Sequence, residues 1–118
     1  MSQYELENRT LRFSINLIST LKLIPPDIFN MKLIDQLVRS GTSIGANYVE
    51  ANGAESKRDF RHKVHIAYKE ARETRYWLKV FSATYPKVKI KLEPLLKESD
   101  EYVKMFAKII STVSRSIK

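Results

Sequence analysis

His62 and His65 stand three residues apart and are the only imidazoles in the chain. At that spacing on a helix they are neighbours on one face, and imidazole is the side chain best suited to ligate a metal or move a proton near neutral pH. A carboxylate-bridged di-metal bundle needs an acid-x-x-His pair on each of two helices, with two more carboxylates facing them. Asp59-x-x-His62 supplies one such pair, and no histidine is left on another segment for a second. There is no cysteine, so neither a thiolate nucleophile nor a sulfur-ligated metal is available. No glycine-rich phosphate loop occurs, and no local signature organises the serines, histidines and aspartates for nucleophilic attack. These residues lead to an expectation of no catalytic residue, no metal and no cofactor, with both histidines solvated.

The segment around the histidines has richer content. With Phe60 and Leu78 at the centre of a buried helical face and 100° per residue, Arg58, Arg61, His65, Lys69, Arg72, Arg75 and Lys79 fall on one arc away from that face. Tyr68 and Tyr76 lie in the same arc, while Asp59, Glu70 and Glu73 lie to one side of it. A row of cations interleaved with aromatic rings suits phosphates and unstacked bases. A solvated basic face is the plainer reading. Ile66, Trp77 and Val80 project on the acidic flank, off the core stripe, and are candidates for a contact between subunits. A broad core would use the same residues.

A second constellation lies in "RSGTSIGANYVEAN", residues 39–52, which combines two glycines, hydroxyls and amides with apolar residues in helical phase. Arg39, Ser43, Asn47 and Glu50 form a polar row opposite Leu37 and Tyr48. That row is either a water-facing surface or a hydrogen-bonded seam in which arginine and glutamate compensate each other's charge. Each interior glycine costs about 1 kcal/mol relative to alanine, so Gly41 and Gly45 imply close approach of another backbone. A continuous helix is expected through them, because Ile44 and Tyr48 stay in phase with Ile34 and Leu37.

Four elements must position these groups. "IPPD" (24–27), "NGAES" (52–56) and "TYPKVKIK" (84–91) interrupt the chain. Between them the apolar residues keep a 3,4 spacing: Leu6, Thr10, Phe13, Leu17, Leu21; Ile34, Leu37, Gly41, Ile44, Tyr48, Ala51; Phe60 through Phe81; and Leu92 through Ile117. Leu11, Ile15 and Ile18 widen the first stripe. Ser56 with Asp59 resembles a capping box, and Pro94 suits a first helical turn. The expected fold is all-α: a single domain over 1–118 forming an up-down-up-down antiparallel four-helix bundle, with helices at roughly 4–23, 28–52, 56–84 and 92–116.

The charge is distributed unevenly. The chain of 118 residues carries 21 Lys and Arg against 13 Asp and Glu, a formal net charge of +8. Residues 1–54 are balanced at five of each sign, so the whole excess lies in the second half. That asymmetry points to an anionic partner: nucleic acid, an acidic protein or a membrane surface. No apolar run approaches the roughly 20 residues needed to span a bilayer, and the polar, partly acidic "MSQYELENRT" does not resemble a secretory leader. A cytoplasmic protein without membrane association is expected.

"LENRTLRF", "QLVRSGTSIGANYVEANGAESKRDF" and "KEARETRYWLKV" together resemble the bacterial four-helix-bundle family that includes the ribosomal-RNA intervening-sequence proteins. The resemblance runs from about residue 5 to residue 115. Its most specific part is the series Arg39, Ser43-Ile44, Asn47 and Glu50, and Phe60 and Glu73 also match. Members more often carry alanine where Gly41 stands and Glu-Gly where Glu50-Ala51 stands. The resemblance implies an up-down bundle assembled into a ring-like homo-oligomer, a pentamer. Some members are encoded inside inserts in large-subunit ribosomal RNA genes. A more distant relative is the accessory variability determinant of diversity-generating retroelements, a basic pentamer that works with a reverse transcriptase and nucleic acid.

The combined expectation is a non-enzymatic, oligomeric bundle binding nucleic acid, RNA ahead of DNA. Arg58, Arg61, Lys69, Arg72, Arg75 and Lys79 would lie on phosphates, with Tyr68 and Tyr76 on bases. Lys87, Lys89 and Lys91 would extend the patch. Arg39, Ser43, Asn47, Glu50 and Glu73 would be structural or interfacial, and Ile66, Trp77 and Val80 would meet another subunit. The alternative is a scaffold whose cationic arc docks an acidic protein.

Overall fold

The periodic stripes become four helices in the computed structural model, which describes residues 1–117. They are α1 (Gln3–Leu21), α2 (Asn30–Asn52), α3 (Lys57–Thr84) and α4 (Lys89–Ser116), with a short 3-10 turn at Pro86–Val88 before the last. Every member of the α1 stripe from Leu6 to Leu21 is buried, as are Val64, Ala67, Ala71, Thr74, Leu78 and Phe81 of α3. Consecutive helices run antiparallel and side by side. α1 lies mainly on α2 and meets α4 only lightly, while α3 is packed closely between α2 and α4. The result is a rod of 50 × 23 × 20 Å. Aromatic rings fill its centre: Phe13 meets Tyr102 edge-on at 5.4 Å, and Tyr102 stacks on Phe106 at 6.0 Å.

The helix starts explain where the sequence-derived boundaries shift. Ser2 and Glu5 form a complete capping box on α1. At α3 only half of one forms: the Ser56 hydroxyl accepts from the Asp59 amide at 3.0 Å, while the Asp59 carboxylate turns to Lys63 at 3.4 Å. α2 begins at Asn30 rather than 28. Asp27 accepts from the amides of Phe29 and Asn30, both at 2.8 Å, and Asn30 accepts from the Asp27 amide, which holds residues 27–30 in a closed turn. α4 begins at Lys89, three residues earlier than expected, because the turn at Pro86 leads directly into it. Pro94 therefore lies beyond the first turn, where it forfeits the bond to the Ile90 carbonyl. Ile90 is 81% exposed, so water can reach that carbonyl.

α2 is continuous through both glycines, and neither has positive φ. Their function is proximity. A Cβ on Gly41 would lie 2.1 Å from Leu17 Cδ2, and one on Gly45 would lie 2.9 Å from Thr10 Oγ1. The two positions let α1 settle onto α2. The α2–α3 seam has a polar centre instead, where the buried hydroxyls of Ser40 and Thr74 meet at 2.9 Å.

Candidate nucleic-acid interface

The cationic residues of α3 are carried outward by the same periodicity that buries its apolar stripe. Lys69, Arg72 and Lys79 are exposed and Arg61 is half-buried. Among the described residues, no carboxylate lies within ion-pair distance of Arg61, Lys69, Arg72 or Lys79. From Arg61 to Lys79 the helix rises about 27 Å. Two open grooves lie along this track. One is lined by Arg58, Arg61, His62, His65, Ile110 and Ser114, the other by Lys69, Arg72, Glu73, Arg75, Tyr76 and Lys79. A ladder of flat groups joins them: the His65 and Tyr68 rings stack at 5.7 Å, and the Arg72 guanidinium sits 5.7 Å from the other end of the pair, over the Tyr68 ring.

Two expected members of the arc are occupied differently. Arg75 is half-buried and forms an ion pair with Asp100 of α4 at 2.7 Å, and Lys104 reaches the same carboxylate at 3.1 Å. These two cations, Arg75 first, hold the Asp100 carboxyl below its ordinary range. Arg75 therefore ties α3 to α4. Tyr68 is half-buried, packed against the core and already covered by His65 and Arg72. Tyr76 is 59% exposed, so it is the ring of the arc that presents a face to an incoming base.

The α2 polar row divides: Arg39 reaches across to α3, while Ser43 and Asn47 bond back along their own helix. Arg39 binds Glu73 and, at 3.4 Å, Glu70, both on α3, and donates to Gln36. Its charge is thus answered across the helix seam, and Glu50 stands exposed with the Ser43 and Asn47 side chains between the two. Ser43 donates to the Arg39 carbonyl at 2.6 Å and Asn47 to the Ser43 carbonyl at 2.8 Å. Burial pushes the Glu70 carboxyl up, and the Arg39 charge opposes that shift. Glu73 also accepts from the Trp77 indole at 3.2 Å. That bond anchors Trp77, which packs on the core, and Ile66 and Val80 are likewise half-buried.

The most exposed apolar surface lies elsewhere. Leu11 is 57% and Ile15 54% exposed on the outer side of α1, and Leu23, Ile28, Phe29 and Met31 are exposed where α1 passes to α2. The widening of the α1 stripe was the signal for this surface. Periodicity could not tell a broad core from a second face. Among the described residues no group of three or more His, Cys, Asp or Glu could hold a metal ion, and no helix is long and apolar enough to cross a membrane.

Fold and face together define an all-α, up-and-down four-helix bundle with a cationic track along its third helix. Residues 3–108 match the family model of the 23S rRNA-intervening sequence protein, and the chain belongs to that family. A similar solved structure is the crystal structure of a protein of unknown function from the S23 ribosomal protein family of Bacteroides thetaiotaomicron. It is 34% identical, superposes with a TM-score of 0.80, and the match covers 94% of this chain and 99% of that one. No curated protein matches the chain. The resemblance carried by the three sequence segments is thus borne out at the level of family and fold.

Proposed function

We propose that this protein binds RNA, in preference to DNA, through backbone phosphates laid along α3, and that it does so in the cytoplasm as a non-enzymatic homo-oligomer. The observation that carries the reading is the track of Arg61, Lys69, Arg72 and Lys79, exposed or half-exposed, with no carboxylate within ion-pair distance among the described residues. On a protein of net charge +8 such a face concentrates a polyanion by counterion release. The family name, which refers to an intervening sequence of 23S rRNA, supports RNA as the polyanion. Tyr76, exposed between Arg72 and Lys79, supplies a ring for an unpaired base. The resemblance implies a pentamer. Ile66, Trp77 and Val80 remain one candidate surface for it, and the more exposed row on α1 is a second.

The test is titration of a labelled single-stranded RNA at low and high salt, with light scattering of the protein alone and with RNA. Four phosphate contacts predict a slope of log K against log salt of about −3, and oligomers in both samples. Changing Lys69 and Arg72 together to glutamine should bring the slope to about −1.4. RNA binding indifferent to salt, or no binding alongside tight capture by an acidic protein, overturns the reading in favour of a scaffold.

A further inference from the structure

α1 has two patterned faces. Its buried stripe, from Leu6 to Leu21, meets the rest of the bundle. On the opposite side a second row, Tyr4, Asn8, Leu11, Ile15 and Ile18, keeps an unbroken 4,3,4,3 spacing, and all five side chains are exposed. Tyr4 is 72% and Ile18 38% exposed, with Leu11 and Ile15 between those values. One apolar stripe is enough to hold a helix on its own domain, so a second one fits a further partner. The spacing is that of a coiled-coil seam, with Asn8 and Ile15 at a positions and Tyr4, Leu11 and Ile18 at d positions.

The residues beside the row select what covers it. Glu7 falls at the g position of one heptad and Arg12 at the e position of the next. Those two positions meet between parallel neighbouring helices, and here they carry opposite charge. Arg12 is exposed, and among the described residues it has no ion pair. One Glu7 oxygen accepts from the Asn52 amide at 2.7 Å, and the other has no partner among the described residues. A parallel copy of α1 also sets Asn8 against Asn8, a polar pair that fixes register. An antiparallel copy would set Asn8 against Ile18 and Arg12 against Arg12.

The distribution of charge agrees. α1 carries Glu5 and Glu7 against Arg9 and Arg12, and residues 1–54 are net zero, while the whole excess of +8 lies beyond them. Copies that approach through α3 or α4 repel each other, and through α1 they do not. Two heptads are short for a free coiled coil, but α1 is already folded onto α2, so pairing orders no new backbone.

We propose that α1 is the axis of a parallel homo-oligomer, in which the rods stand side by side and each outer α1 row packs against the same row of its neighbours. The proposal rests on the oligomer in the reading above and names its surface, in place of Ile66, Trp77 and Val80. The register is the same whatever number of copies share the axis. α3 stands diagonally across the bundle from α1. Every cationic track therefore faces outward, and one long RNA can lie over several.

The experiment is light scattering of the full chain over a concentration series, with changes at exposed positions. The wild type should be an oligomer, and Leu11→Gln with Ile15→Gln a monomer of unchanged helical circular dichroism. That monomer should bind an RNA too short to span two tracks as the wild type does, and bind a long one about tenfold or more weakly. The chain has no cysteine, so Asn8→Cys reports register within the intact oligomer. A short bismaleimide should link copies through Asn8→Cys and leave Tyr76→Cys, on the outward track, unlinked. An oligomer whose mass survives the Leu11 and Ile15 changes, or an Asn8→Cys oligomer that does not link, overturns the α1 axis while leaving oligomerisation in place. A wild type that is monomeric at every concentration removes the oligomeric reading itself.

Discussion

Gly41→Ala tests whether the α1–α2 seam is as tight as described. Helix propensity alone favours the change by about 1 kcal/mol. The geometry opposes it. The new Cβ would stand 2.1 Å from Leu17 Cδ2, against 3.4 Å or more for an ordinary contact, and Phe13 Cε2 lies 3.8 Å away on the same side. Leu17 and Phe13 are 0% and 1% exposed, so the leucine methyl must move more than 1 Å inside a filled core. Overpacking of this kind costs about 1–3 kcal/mol, which outweighs the propensity gain and leaves a net loss of about 1 kcal/mol. In a chain of this length that corresponds to about 4 °C in Tm. The assay is thermal and urea unfolding of Gly41→Ala, Leu17→Ala and the double variant. Leu17→Ala alone should cost about 2–5 kcal/mol. The double variant should be more stable than the sum of the singles by about 1 kcal/mol or more, because the alanine methyl enters the space the leucine leaves. A stabilised Gly41→Ala, additive with Leu17→Ala, refutes the reasoning.

Two further outcomes follow from the ion pairs and the Asp27 turn. Arg75→Gln should lower the urea midpoint, since it removes a tie between α3 and α4, and leave the salt slope of RNA binding unchanged. Arg72→Gln should do the reverse, reducing the slope by about 0.7; equal slopes for the two variants would undo the distinction between them. The second outcome concerns acid. The Asn30 amide first, and the Tyr85 hydroxyl at 2.8 Å next, hold the Asp27 carboxyl below its ordinary 3.8. A folded value below the unfolded one gives stability that is present above pH 3.8 and is lost as the pH falls through the lower folded value. Urea midpoints measured at neutral pH and near pH 3 should therefore fall further in the wild type than in Asp27→Asn, and parallel falls would contradict the assignment.

Much of this was legible in the sequence because it depends on local periodicity. The α3 stripe from Val64 to Phe81 is buried as its spacing implies, and the same count carries Lys69, Arg72 and Lys79 outward. What was not legible depends on neighbours distant in the chain. Arg75 belongs to the arc by phase, but Asp100, 25 residues later, claims it. Arg39 is answered by Glu70 and Glu73 rather than Glu50, since the crossing of α2 and α3 brings them together. Leu11 and Ile15 read as core because a stripe's width cannot reveal how many helices cover it, and α1 has one close neighbour where α3 has two. The turn at Asp27 and the entry at Pro86 moved helix starts because their hydrogen bonds are set by backbone geometry that composition only hints at.

That one-sided attachment of α1 gives the rod an uneven resilience. Its polar ties to α4 are few: Arg9 to Glu98 and Glu101, and the Tyr102 hydroxyl donating to the Arg9 carbonyl. Peeling α1 away would break those, the Phe13–Tyr102 ring contact, the Asn52–Glu7 hydrogen bond and the glycine seam, while leaving Arg75–Asp100 and Ser40–Thr74 in place among the other three helices. With one close neighbour where α3 has two, α1 is the helix expected to open first under denaturant, and its opening would leave the cationic helix packed between α2 and α4.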